Sequence, residues 1–201
     1  MGQYYKAVLI DENGVMKTFD PRAYKTKDEP YGMGLKLMEH AWLPNPFVNA
    51  VLRDITHTPM RLGWVGDYAK DATSSKEIHA LYDEAYSENR KDYSLAGVVP
   101  IQLDHKHLDW FFVNKTKGLY LDIRAYFQRS VESDGLYCAH PAPLLTAVGN
   151  GMGGGDYHGI NTEEVGIWAF DEVFLTKTRP DSSKYIEEMY TFNEEVSMET
   201  A

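Results

Sequence analysis

Between His140 and Gly159 the chain reads H-P-A-P-L-L-T-A-V-G-N-G-M-G-G-G-D-Y-H-G, and six of these twenty residues are glycine, out of sixteen in the whole chain. Glycine loses more backbone freedom on folding than any other residue. In return it reaches positive φ and lets a backbone or ligand approach closely. A run this rich in glycine interrupts helices and strands alike, so the fold must place a loop here. The loop ends in Asp156, Tyr157 and His158, which makes it a candidate binding element.

The run contains a formal G-x-G-x-x-G at Gly149, Gly151 and Gly154, and Asp171 follows Gly151 by twenty residues. A dinucleotide site needs a strand before this motif and an apolar helix opening inside it. Residues 144–148 suit a strand. Residues 153–161, however, hold four glycines and no apolar helical stripe, so the Rossmann reading is rejected. No Gly-Lys-Ser/Thr follows, which excludes a Walker A loop. Two readings remain: a loop whose amides form an anion-binding nest, or glycines that serve turns and let the segment pass close to Trp168.

Gly-Asp-Tyr occurs at 66–68 and again at 155–157. Two carboxylates, Asp67 and Asp156, facing one cleft would suit acid–base chemistry, metal binding or recognition of a hydroxyl pair. Spacing alone does not bring them together. Of the seven histidines, His140 and His158 are the titratable candidates beside the run. His105-Lys106-His107 has metal-like alternation but no third ligand fixed by spacing, so a polar loop is preferred and no metal is expected. His79 lies beside the apolar stripe of a helix. Cys138 reads as a small buried apolar group, because His140 two residues on would leave the opposite side of a strand. No G-x-S-x-G elbow is present.

Along the chain, residues 4–10 and 15–19 form a hairpin around Asp11-Glu12-Asn13-Gly14. Residues 20–30 are a loop, and a helical pattern begins at Gly34. Asn45 before Pro46 is an N-cap signal, and Phe47, Val48, Val51, Leu52 and Ile55 follow on one helical face. Residues 61–65 form a strand ending at Gly66. Ser74 and Glu77 make a capping box for a helix carrying Ile78, Leu81, Tyr82 and Ala85. Residues 88–94 are a charged exit. Residues 108–113 and 119–126 make a second hairpin, with Gly118 at positive φ. Residues 166–170 and 172–175 are two more strands, and Asp181 caps a last helix with Ile186, Met189 and Tyr190 packed. No repeat or linker divides the 201 residues. The pattern predicts a single α+β domain over residues 1–201, frayed after about residue 196, with a mainly antiparallel sheet of hairpins and about three helices.

The hydrophobic share of 43% and charged share of 25% fit a folded chain. A net charge of −10 argues against binding a nucleic-acid duplex, and Lys115–Lys117 is too short a basic spot to reverse it. One cysteine excludes an internal disulfide. There is no apolar signal core or membrane-length run. Met1-Gly2 lacks the Ser or Thr of a myristoylation site, where Lys6 stands. The expectation is a cytoplasmic protein with no membrane partner and no dedicated cofactor. Association into a homo-oligomer is left open.

Several stretches together resemble a family of small proteins from bacteria and their phages. They are Met1–Lys6 (M-G-Q-Y-Y-K), Gly34–His40 (G-L-K-L-M-E-H), Trp64–Ala69 (W-V-G-D-Y-A), the hairpin around Val113-Asn114, His140–Tyr157, and Gly166–Ala169. The resemblance spans most of the chain. It implies a cytoplasmic accessory protein, phage-borne in some settings, and carries over no catalytic residue. Met152 stands where a basic residue would be expected, which removes a phosphate-binding side chain there.

The favoured reading is a small-molecule-binding protein. Asn150, Gly151, Gly153, Gly154, Gly155, Asp156, Tyr157 and His158 would hold a small polar or anionic ligand, with Tyr68 beside them and Trp64 or Trp168 stacking on a ring. A nucleotide suits amides and an aromatic together, and sequestering a host signal would suit a phage setting. The alternatives are a hydrolase using Asp67 and Asp156 with His140 or His158, and a structural or interaction protein in which the loop only packs.

Overall fold

The computed structural model describes residues 3–25, 31–42, 45–72, 74–87, 109–134, 139–150 and 163–190. Among the described residues eight strands form one sheet: β1 (Tyr5–Ile10), β2 (Met16–Phe19), β3 (Met60–Gly66), β4 (Phe111–Asn114), β5 (Leu119–Asp122), β6 (Ala147–Val148), β7 (Glu172–Thr176) and β8 (Ile186–Glu187). Their order is β2-β1-β3-β7-β4-β5-β8, and β6 also pairs with β3. All pairings are antiparallel except β3–β6 and β5–β8. The α+β class with a mainly antiparallel sheet is therefore observed.

Among the described residues the helices are α1 (Leu37–His40), α2 (Pro46–Asp54), α3 (Ala69–Ala72), α4 (Lys76–Ala85), α5 (Ile123–Asp134) and α6 (Pro141–Leu145). Only α2, α4 and α5 reach nine residues. Helices cover both faces of the sheet, which explains why every residue of β1 is buried. Tyr5, Ala7 and Leu9 face a large core with α1, α2 and α6, whereas Val8 and Ile10 face a smaller cluster beneath α4. Successive strand residues point to opposite faces, so Lys6 shares the α4 side.

Local signals held where they were short-range. Gly14 and Gly118 take positive φ in their hairpin turns. Asn45 caps α2, its Oδ1 accepting from the Phe47 and Val48 amides at 2.9 and 3.4 Å. The cap of α4 is Ser75 and not Ser74, with the Ile78 amide donating to its Oγ at 3.4 Å.

Four expectations are corrected. The second strand of the 108–126 hairpin stops at Asp122, whose Oδ1 accepts from the Ala125 amide at 3.1 Å and starts α5. Residues 144–148 are not one strand: His140 and Pro141 open α6, and only Ala147 and Val148 join the sheet. Residues 166–170 form turns. Gly166 and Phe170 sit at positive φ, and the amides of Gly166, Trp168 and Phe170 reach the carbonyls of Leu144, Leu145 and Leu62 at 2.8, 2.7 and 2.8 Å. Asp181 accepts from the Ser183 amide at 2.9 Å, which closes a turn and caps no helix. The chain after it forms β8 on the open edge of β5, leaving Ile186 and Met189 exposed where a helix would have packed them.

Candidate functional site

β6 lies parallel to the second half of β3, with Trp64 opposite Ala147 and Val65 opposite Val148. Carried one step further, this register sets Gly66 beside Gly149, and the two strands leave the sheet together at Asp67 and Asn150. The start of the glycine run is thereby brought to the first Gly-Asp-Tyr. In open sheets, ligand crevices lie outside the carboxyl ends of parallel strands, where neighbouring connections diverge. The β3–β6 ends have that arrangement on a small scale.

Gln3 and Tyr5 bind the two ends into one unit. The Gln3 amide nitrogen donates to Asn150 Oδ1, and its Oε1 accepts from the Asn150 backbone amide at 3.3 Å and from the Tyr5 hydroxyl at 3.3 Å. A Cβ on Gly149 would overlap the Tyr5 hydroxyl and Gln3 Oε1, and one on Gly66 would lie 2.6 Å from Gln3 Oε1. These two glycines therefore serve close packing. Gly149→Ala is expected to cost about 1–3 kcal/mol through overpacking, read as a lower urea midpoint at unchanged m-value.

On the opposite face, Asp67 lies across from Tyr4. The Tyr4 amide donates to Asp67 Oδ1 at 3.0 Å, and the Asp67 amide donates to the Tyr4 carbonyl at 3.0 Å. Two α4 tyrosines, stacked with centroids 5.0 Å apart, hold this corner. The Tyr82 hydroxyl donates to the Asp67 carbonyl, and that of Tyr86 donates to the carbonyls of Tyr4 and Val65. Asp67 and Tyr68 are both half-buried. Lys6 does not neutralise Asp67. Its Nζ lies 3.4 Å from Asp20 and 4.6 Å from the centre of the Tyr86 ring. Burial pushes the Asp20 carboxyl upward, but hydrogen bonds from Arg22 and the charges of Lys6 and Arg22 outweigh it and hold the pKa at about 2.

Other residues singled out in the sequence lie elsewhere. Trp64 and Trp168 are fully buried core residues and present no face for stacking. The Trp64 indole donates to His40 Nε2 at 2.8 Å and packs edge-on against Phe47 at 5.4 Å. That of Trp168 donates to the Tyr190 hydroxyl at 3.1 Å. His140 is buried, and its Nδ1 accepts from the Ala142 amide at 3.0 Å as the cap of α6. Burial lowers its pKa to about 3, so near neutral pH it is a neutral imidazole and not an imidazolium acid. Its role is structural, in place of the acid–base role the sequence offered. Asp171, whose spacing from Gly151 belonged to the rejected dinucleotide pattern, accepts from the Asn114 side-chain amide at 2.7 Å and braces the β4–β5 turn. His79 accompanies α4 at the surface, its Nε2 3.0 Å from the Lys70 carbonyl oxygen.

Gly151, Gly153, Gly154, Gly155, Asp156, Tyr157 and His158 lie outside the described residues, as do Cys138, His105 and His107. Whether the two Gly-Asp-Tyr segments share a cleft therefore lies outside the described residues too. Sequence reasoning missed Gln3, Tyr82 and Tyr86. Nothing local marks Gln3, whose role arises from contact with Asn150. The i, i+4 pair of tyrosines on α4 was a readable signal.

Among the described residues no three His, Cys, Asp or Glu side chains converge as metal ligands would, and no helix is long and apolar enough to cross a membrane. Comparison with protein-family models, curated proteins and solved structures returned no match to this chain.

Proposed function

We propose that this protein binds a small polar, anionic molecule, a nucleotide in the favoured form, at the carboxyl ends of β3 and β6. The supporting observation is the parallel β3–β6 pairing, which brings Gly149 and Asn150, where the glycine run begins, to the corner held by Asp67 and Tyr68. In this reading the backbone amides of Gly151–Gly155 hold the anionic group. Local amides suit this task in a chain of net charge −10, because they act at contact range while the overall charge repels anions only weakly through salt. In a phage-borne setting, binding alone would act by sequestering a host signal, in keeping with the resemblance to bacterial and phage proteins.

A nucleotide panel tested by thermal shift, with product analysis of each mixture, checks the proposal. A ligand at a hundredfold excess over Kd stabilises by about 2.7 kcal/mol, raising Tm by roughly 5–10 °C for a domain of this size. The nucleotide should be recovered intact. Gly154→Val is expected to abolish the shift. A Gly154→Val protein with unaltered fold and unaltered response would sink the loop assignment, and turnover would replace binding by catalysis.

A further inference from the structure

We infer that Asp67 is the acceptor for a vicinal diol on the ligand's ring, so that the ligand carries a ribose or another sugar at this end. The inference rests on the site proposed above and names the part of the ligand that meets β3. Three observations carry it.

The carboxylate is fixed. Tyr4 and Asp67 exchange hydrogen bonds of 3.0 Å, amide to Oδ1 one way and amide to carbonyl the other, while Tyr82 and Tyr86 clamp the same backbone. A group held this way loses little further freedom when a ligand arrives.

The carboxylate also keeps capacity. Oδ2 has no partner among the described residues, Oδ1 retains a lone pair beyond its bond to Tyr4, and no lysine or arginine among those residues pairs with Asp67. An uncompensated carboxylate repels phosphate, so the anionic end of the ligand must lie away from it. A lone acid offers a metal ion too few ligands. Two adjacent hydroxyls, each a donor, match two carboxylate oxygens, as a ribose meets the acidic residue of a dinucleotide site.

Finally, the surroundings are aromatic. Tyr4 is 48% exposed and Tyr68 is half-buried, and both stand next to the carboxylate in the chain or across the strand pair. A tyrosine joins an apolar ring to a polar tip, which fits the mixed surface of a sugar.

The experiment is isothermal titration of wild type and Asp67→Asn with the four ribonucleoside monophosphates, their 2′-deoxy counterparts, the free nucleosides, ribose and glucose. Asparagine keeps an oxygen for the Tyr4 amide, and circular dichroism confirms the fold. The expected result is at least tenfold tighter binding of a ribonucleotide than of its 2′-deoxy form on wild type. Asp67→Asn should bring both to the affinity of the deoxy form. Preference that survives in the free nucleosides or ribose shows the diol read without the phosphate, and preference confined to nucleotides shows that the phosphate must be held as well. Equal binding of ribo and deoxy forms by wild type overturns the diol assignment and leaves the nucleotide proposal standing. No binding of any nucleotide, nucleoside or sugar overturns both. The wild-type comparison can still overturn the diol assignment if Asp67→Asn fails to fold.

Discussion

Moving the protein from pH 7.5 to pH 5 is expected to remove about 4 kcal/mol of folding stability, roughly half from each of two buried histidines. His40 is fully buried, and its partners dictate its neutral form. The Trp64 indole can only donate, so Nε2 accepts at 2.8 Å, and Nδ1–H donates to the Gly34 carbonyl at 2.8 Å. Burial lowers the His40 pKa to about 4, against smaller opposing effects from the Gly34 hydrogen bond and Glu39. His140, also buried, is lowered to about 3. In the unfolded chain both titrate near 6.5, so below that pH the unfolded state takes up protons that the folded state refuses. Their contribution is complete above about pH 6.5 and falls as pH drops toward the folded values. Asp20, with its folded pKa held at about 2, contributes stability that is complete above its unfolded value near 3.8 and is lost only below it, outside this window. Urea unfolding at half-unit pH steps measures the slope. His140→Asn keeps a capping side chain without titrating and should roughly halve it. A stability that stays flat between pH 7.5 and 5 would contradict burial of both rings as neutral imidazoles.

Trp64→Ala is expected to cost about 3–5 kcal/mol, a large part of the 5–15 kcal/mol typical of a whole domain. The indole is fully buried among Phe47, His40 and the rest of the larger core, with rings at 5.4 and 6.2 Å. Its removal leaves both a cavity and an unpaired imidazole nitrogen. Trp64→Phe separates the two effects. It keeps most of the packing but orphans His40 Nε2, at an expected cost of about 1–3 kcal/mol. The residual Nε2 no longer faces a donor, so the His40 pKa should rise and the acid-side slope soften. Denaturant titration gives the energies, and the imidazole NMR shifts against pH give the pKa. A Phe variant as stable as wild type would show that the Trp64–His40 bond carries no net stability.

Much of the scaffold was legible because its signals are local. Asn13-Gly14 and Gly118 mark turns by backbone freedom, Asn45-Pro46 marks a helix start by capping, and the stripe from Phe47 to Ile55 marks its buried face. The errors came where a distant partner decided. Residues after Asp181 carry helical spacing, yet the open edge of β5 recruits them as β8. Residues 166–170 are apolar and branched, but positive φ at both ends bends them away from the sheet, and their amides are satisfied by α6 and β3. Trp64 and Trp168 read equally well as ligand platforms or core, since an indole's hydrogen-bonding tip can meet either a ligand or a buried acceptor. Here His40 and Tyr190 supply the acceptors. The glycines marked a candidate site in the sequence, while the joinery of Gly149 and Asn150 through Gln3 required knowing that residues 3 and 150 meet.

The position of β3 also sets an order of manufacture. It needs β1 on one side, and on the other it needs β7 along its first half and β6 along its second. Two of these partners are made long after it, so during synthesis a three-stranded β2-β1-β3 sheet must wait with one edge open. Contacts this distant in sequence slow folding. The waiting edge includes Leu62, Trp64 and Val65, all fully buried at the end. An apolar strand edge exposed for that interval is where a nascent chain goes astray, and shielding it until residues near 176 emerge is the task this topology hands to the cell's chaperones.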